Sequence, residues 1–265
     1  MEKKVCYLVQ GKSCEMDYFK SLLQGRDYVL LTWDQECDNA LFYPNSSWAE
    51  GRKKLEKCID IERYQYICFI DGDVKLKGCL TAFEQELLHL EPAVAFPVIE
   101  KTKKHATARW MLSYGMDEQC QFFNTEIYKF HFKCQPYITK FDKISWHFPC
   151  VILQYFLGSH LKNSVVTIPH IEAINSGHGE YPTSQDYAPL TDFMSQYVSS
   201  MNYYPLLNSY QSNCNFIGYI VRRGRNAFRL FKCKYLNKLL FTPVSKINLN
   251  KIPKDFDIFK SGERN

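Results

Sequence analysis

Apolar residues fall along the chain in short blocks separated by polar, turn-forming stretches, and the spacing of the first blocks sets the architecture. Val5 to Gln10 reads as a strand, Gly11-Lys12-Ser13 as the turn after it, and a helical pattern follows through Leu23. Tyr28 to Trp33 reads as a second strand that closes at Asp34. Strand, helix, strand in that order predicts parallel pairing within an α/β sheet. Pro44-Asn45-Ser46-Ser47 reads as a turn in which Asn45, Ser46 or Ser47 can cap a helix running from about Trp48 to Ile61. The next block, Tyr66 to Ile70, is almost wholly apolar, as expected of a strand covered on both faces of a sheet. It ends abruptly in Asp71-Gly72-Asp73.

Farther along, Ala93 to Ile99 predicts another strand, placed nearer an edge because Pro97 has no N–H to donate. Ala108 to Tyr114 and Gln121 to Lys129 read as strands joined by a turn at 115–118. Asp142 is expected to open a helix reaching about Leu161; Pro149 lies too deep for a first-turn proline, which predicts a kink or a later start. Val165 to Ile168 reads as a strand, and Ile171 to Pro182 as a loop rich in turn residues. No internal repeat or low-complexity segment is present. From about Ser184 the character changes: Tyr and Asn become frequent, and Arg222, Arg223, Arg225, Arg229, Lys232, Lys234 and Lys238 then appear among apolar positions. A basic, aromatic amphipathic helix of this kind suits either an anionic membrane surface, through residues 216–241, or a core-packed helix with a solvated basic face.

Composition narrows the picture further. The 265 residues, 46% of them hydrophobic and 15% aromatic, suffice for one large domain with an extension, and exclude a disordered chain. A net charge of +5 is too small to imply a nucleic-acid partner. Eleven cysteines without a C-x-x-C pair match neither a disulfide framework nor a zinc site, and point to a reducing, cytoplasmic compartment. No run approaches the roughly 18 apolar residues of a spanning helix, and the first residues lack the core of a signal peptide.

The chemistry concentrates at Asp71-Gly72-Asp73. On extended chain, residues i and i+2 point the same way, so the two carboxylates leave the strand together. Gly72, without a Cβ, leaves room for a ligand to approach the backbone. Carboxylates so close repel one another unless a cation lies between them, and their oxygens suit hard ions such as Mg2+ or Mn2+, which bind diphosphates. Gly11-Lys12-Ser13 is not a phosphate loop, because the glycine that pattern needs five residues earlier is Cys6. Asp34 sits at a strand's C-terminal end, where α/β sheets bind ligands, and Gln10 and Lys12 line the same edge. Trp146 and Trp110 are able to stack on sugar rings or to belong to the core.

This order of elements resembles the GT-A glycosyltransferases, over about residues 5 to 182. Asp71-Gly72-Asp73 matches that family's D-x-D in sequence and setting, Phe42 to Arg52 looks like the helix start before the D-x-D strand, and Phe141-Asp142 with Trp146 and Asn175-Ser-Gly-His178 with Tyr181-Pro182 look similar to further motifs in bacterial GT-A-like proteins. The resemblance implies an α/β, Rossmann-like, mixed and mostly parallel sheet flanked by helices. It divides residues 1–183 into a donor half (about 1–100) and an acceptor half (about 101–183), with 184–265 as a basic extension. It implies a nucleotide-sugar donor, a UDP-sugar foremost, held through Gln10, Lys12, Asp34, Arg52 and Asp71. It also implies a divalent cation, Mn2+ or Mg2+, on Asp71 and Asp73 with His178 as third ligand, His170 and His147 being further candidates. A carboxylate base, Asp142 or Asp117, would deprotonate the acceptor hydroxyl in an inverting reaction; a retaining one would need none. The expected acceptor is a glycan or lipid-linked sugar of bacterial surface polysaccharide, met at the cytoplasmic membrane face. The competing readings are a non-catalytic glycan- or partner-binding scaffold and a HAD-type phosphatase, whose D-x-D normally follows the first strand.

Overall fold

In the computed structural model, described here for residues 4–103, 106, 109–113, 118–132, 140–161, 163–175, 186–197 and 237–249, the first apolar block forms a strand buried at every position. This is β1 (Val5–Gly11). It pairs in parallel with β2 (Asp27–Thr32) on one side and β4 (Tyr66–Asp71) on the other, and β3 (Leu41–Phe42) extends the parallel run beyond β2. Helix α1 (Met16–Leu22) makes the crossover from β1 to β2, and α2 (Trp48–Glu56) leads toward β4. The strand–helix–strand spacing therefore folds as expected.

The rest of the sheet is mixed. Its other strands are β5 (Val74–Gly78), β6 (Val94–Val98), β7 (Met111–Leu112), β8 (Cys120–Asn124) and β9 (Val165–Asn175). The order is β3-β2-β1-β4-β8-β6-β9-β5, with β7 also on β9. β8 is antiparallel to both β4 and β6, β6 is parallel to β9, and β5 and β7 are antiparallel to β9. Strands β1 to β4, β6 and β9 thus share one direction, which makes the sheet mostly parallel and Rossmann-like.

The sheet must also curl. Only Gly72 and Asp73 link β4 to β5, although β8, β6 and β9 stand between them in the sheet order. Four strand spacings on a flat sheet amount to about 19 Å, whereas the three Cα steps from Asp71 to Val74 reach about 11 Å at most.

Side chains alternate along β4 into two cores. Ile67 and Phe69 face one that holds Leu55 of α2 together with Phe148, Val151 and Ile152 of α6 (His147–His160). Tyr66, Cys68 and Ile70 face another that holds Met16 and Phe19 of α1 and Phe83 and Leu87 of α3 (Leu80–Leu90). Burial on both faces follows from the nearly unbroken apolar run, as expected.

Several elements differ from the sequence expectation. The strand containing Pro97 lies inside the sheet, between β8 and β9, and leads into the short helix α4 (Glu100–Lys103). It is tolerated because β8 pairs only with Val94 and Ala95, and the register with β9 shifts between Pro97 and Val98. Gln121 to Lys129 is not one strand: β8 stops at Asn124, whose Oδ1 accepts the Glu126 amide at 3.1 Å, and helix α5 (Thr125–Phe132) follows. β9 runs on through Asn175, into the stretch read as loop, because β5 supplies a partner from Ile171 to Asn175. Helix α2 ends at Glu56, and Asp60 instead caps a separate turn at Ile61–Arg63 by accepting the Glu62 amide. α6 starts at His147, so Pro149 falls within its first turn, where a missing N–H costs no helical bond.

The described parts of the C-terminal extension pack on the core. Leu190 and Phe193 of the helix Ala188–Tyr197 are buried, Phe193 meeting Phe141 at 5.1 Å between ring centroids. Thr242 and Val244 donate backbone N–H groups to the Asn163 and Glu91 carbonyls at 3.0 and 2.8 Å. Most of 216–241, with the basic run Arg222 to Lys234, lies outside the described residues. Among those described, no helix is long and apolar enough to cross a membrane.

Candidate functional site

Strand register lines the candidate residues up along one edge. Gln10 is opposite Leu31 in β2 and Asp71 in β4, so all three parallel strands reach their C-terminal ends together. The Gly72 amide donates to the Gln10 carbonyl at 2.7 Å, carrying the ladder one residue beyond β4. Here Gly11 and Gly72 lie back to back: a Cβ on Gly11 would come within 2.6 Å of the Gly72 Cα, and one on Gly72 within 2.5 Å of the Gly11 Cα. Either would also strike the Glu15 carboxylate, which rests over the glycine pair and accepts the Lys12 amide at 2.7 Å.

Asp71 is partly buried, with 24% of its side chain exposed. Its Oδ1 accepts from Arg52 Nη2 at 2.8 Å and from the Trp48 indole N–H at 3.1 Å. Burial pushes its pKa up to about 6, against the lowering effect of Arg52 and Trp48, and the charge of Asp73 adds to the rise. Glu15 is raised for the same first reason, burial, and also feels Asp73, while the Lys12 amide and the charges of Lys12 and Lys75 oppose the shift. Asp73 therefore lies electrostatically between the other two acids.

Among the described residues no group of three or more Asp, Glu, His or Cys side chains is placed to hold a metal ion. The donors at the turn are nonetheless hard carboxylate oxygens, and a small divalent cation commonly takes only one or two carboxylates and completes its shell with phosphate and water. Asp71 and Asp73 fit that pattern. His178 and Asp117 lie outside the described residues.

Lys12 sits over the Trp33 ring at 5.6 Å, and Lys75 over the Tyr18 ring at 3.9 Å, so an aromatic supports each of the cations near Glu15. Asp34 accepts the Ser13 amide at 2.9 Å and the Ser13 hydroxyl at 3.2 Å, which joins the loops after β1 and β2. Partial burial would raise its pKa, but the Ser13 and Gln35 amides outweigh this and hold it below the usual value. Gln10 is buried against Gly51 of α2 and donates through Nε2 to the Ser47 carbonyl at 3.1 Å. Arg52 is buried under Asp71 rather than open to the crevice, with its guanidinium 3.8 Å from the Trp48 ring centroid.

Asp142 is 1% exposed and faces the N-terminus of α2. Ser47 caps that helix and forms a capping box with Glu50. Asp142 Oδ2 adds a second cap from a distant segment, accepting the Ala49 and Glu50 amides at 3.0 and 3.3 Å and the Ser47 hydroxyl. Burial pushes its pKa up to about 6, partly offset by these donors. In the unfolded chain the group titrates near 4, so the folded protein holds the proton more tightly and the contribution to stability declines as pH rises from about 4 to about 6. Asp142→Asn is expected to remove that slope while keeping an acceptor for the amides, and Asp142→Ala to lose about 2 kcal/mol at neutral pH. Urea denaturation across this pH range measures both.

Trp146 packs with Trp48, Ala49 and Cys150, and Trp110 lies 4.9 Å from the Phe241 ring, so both are tied into the interior packing. His147 opens α6, and His170 lies in β9, where its carbonyl accepts the Cys79 amide at 3.0 Å. The site residues not anticipated from the sequence are Glu15, Trp48 and Lys75. A signal existed for Trp48, four positions before Arg52 on the same helical face. Lys75, two positions past Asp73, alternates with Val74 and Leu76 in β5.

No protein-family model matches the sequence, and no curated protein matches it. Solved structures with a similar chain path include A197 from STIV, at 12% identity and a TM-score of 0.41 over 66% of this chain and 86% of that one. A hypothetical transferase from Thermus thermophilus aligns at 11% identity and a TM-score of 0.36, covering 63% of this chain and 93% of that one. A putative glucose-1-phosphate thymidylyltransferase from Bacillus anthracis aligns at 8% identity and a TM-score of 0.31, covering 48% and 73%.

Proposed function

We propose that the chain is a glycosyltransferase that moves a sugar from a nucleotide donor, a UDP-sugar foremost, to a glycan or lipid-linked acceptor of bacterial surface polysaccharide. The observation that carries the reading is the placement of Asp71-Gly72-Asp73. Asp71 ends a strand at the middle of the sheet, level with Gln10, and Asp73 follows in the turn to β5, beside the loops of Lys12 and Asp34, at the C-terminal edge where open α/β sheets bind nucleotides. In this reading Asp34 meets the nucleoside and Lys12 and Lys75 face the diphosphate, while Gln10, buried against Gly51, supports the site without touching the ligand. Asp71 and Asp73 would hold Mn2+ or Mg2+, which when bound neutralises charge on the departing diphosphate. His178 is the proposed third ligand; it follows Asn175 by three positions, and Asn175 pairs with Val74 beside Asp73. Asp117 is the proposed base; Asp142, the other candidate, is buried as a second cap on α2 and does not face an acceptor. Docking at the cytoplasmic membrane face through 216–241 belongs to the same proposal.

A thermal-shift screen of UDP-, GDP-, CMP- and dTDP-sugars, with and without Mn2+, tests it: stabilisation by one nucleotide class that grows with Mn2+ is expected, and none with any donor overturns the reading. One observation favours a second possibility. Asp71 already faces a buried cation, Arg52, as it would in a non-catalytic scaffold of this fold. Donor hydrolysis in the presence of Mn2+ separates the two, because a scaffold binds without turnover.

A further inference from the structure

Arg52 has two conceivable duties at the site, and its surroundings decide between them. A side chain that grips a diphosphate must expose its guanidinium, yet Arg52 is 7% exposed. Three of its five N–H donors are already engaged: Nη1 donates to Gln121 Oε1 at 2.7 Å, and Nη2 to Asp71 Oδ1 at 2.8 Å and to the Glu118 carbonyl at 2.6 Å. The group lies over the Trp48 ring and 5.2 Å from the Phe69 ring centroid, which keeps its plane from turning. Stability alone is a weak reason to keep such a pair, since buried ions lose about as much in desolvation as they gain from each other.

Resting on the glycosyltransferase reading, we propose that Arg52 is a positioning residue for Asp71: with the Trp48 indole it fixes Oδ1 and leaves Oδ2 to meet the donor's cation or ribose. Among the described residues, both donors to the Asp71 side chain converge on that one oxygen. The same guanidinium ties Asp71 to β8 through Gln121 and to Glu118, whose carboxylate accepts from Gln154 of α6. The orientation of Asp71 is therefore set by elements from both halves of the domain. Lysine cannot reproduce this arrangement, because its single ammonium lacks the planar fork that reaches several acceptors at once.

The test is calorimetric titration of UDP into the full chain, with and without Mn2+, for the wild type, Arg52→Gln, Arg52→Lys and Trp48→Phe. Loss of an outer residue that orients a metal ligand typically costs about 10- to 100-fold in metal affinity. Arg52→Gln is expected to lose that much in Mn2+-dependent UDP affinity while its metal-free UDP affinity stays within about two-fold, with Arg52→Lys and Trp48→Phe intermediate. A variant that loses metal-free binding equally identifies Arg52 as a direct diphosphate ligand and overturns the proposal, as does an unchanged Mn2+ response. Should Arg52→Gln fail to fold, Trp48→Phe carries the test, since it removes the other donor to Oδ1. Failure of the wild type to bind UDP in either condition removes UDP as the donor nucleotide, and the titration is then made with the nucleotide that responds in the thermal-shift screen; no response to any of the four removes the glycosyltransferase reading itself, an outcome distinct from wild-type-like binding by the variants.

Discussion

Asp73→Asn is expected to lower Mn2+-dependent donor hydrolysis by about 100-fold or more, because it removes a charged oxygen donor from the turn. Asp73 is a cleaner probe than Asp71. Removing the charge of Asp71 would leave Arg52 buried beside a neutral partner, and breaking a buried pair from one side costs about 3–5 kcal/mol, so lost activity and lost fold would be confounded. Hydrolysis of the donor that responds in the thermal-shift screen, followed with and without Mn2+, measures the effect. Undiminished Mn2+-dependent turnover by Asp73→Asn would show that the paired acids do not serve the donor.

Gly72→Ala is expected to destabilise the fold without removing any charge. The added methyl would lie 2.5 Å from the Gly11 Cα, against backbone that cannot move without disturbing the pairing of β1 with β2 and β4, and would collide with the Glu15 carboxylate. Overpacking of this kind costs about 1–3 kcal/mol and more where backbone is involved, which lowers the melting point of a domain this size by roughly 5–10 °C. Combining it with Glu15→Ala relieves only the side-chain half of the clash, so the double variant should remain destabilised. A Gly72→Ala protein that melts like the wild type would mean that β1 and the turn lie farther apart than described.

The strand in front of the paired acids was legible because five successive apolar residues can be accommodated only between two covered faces. The position of the acids at a strand end followed directly. β5 escaped notice although Val74, Lys75, Leu76 and Lys77 alternate, because the alternation is short and its partner, β9, lies nearly a hundred residues downstream. In the stretch from Gln121 to Lys129, Phe122, Phe123, Ile127 and Tyr128 satisfy strand and helix periods alike, and only Asn124 as a cap marks the switch. The duties of Arg52 and Asp142 were not legible for the same reason. Their partners are set by tertiary approach over 19 residues in one case and over 90 in the other, and local pattern carries no record of it. Their residue types marked them as candidates; packing turned one toward Asp71 and the other toward a helix terminus.

The brief link between β4 and β5 has a consequence for the order in which the molecule assembles. β1, β2 and β4 are complete once residue 71 has been synthesised, whereas β5 must wait for β9, whose last residue is 175. Until then the turn bearing the acids is anchored on one side alone. A chain cut before Val165 therefore keeps β1 to β4 with β8 and β6 but strands β5 without its neighbour, and should emerge as a partly ordered fragment that protease cleaves between Asp71 and Leu80.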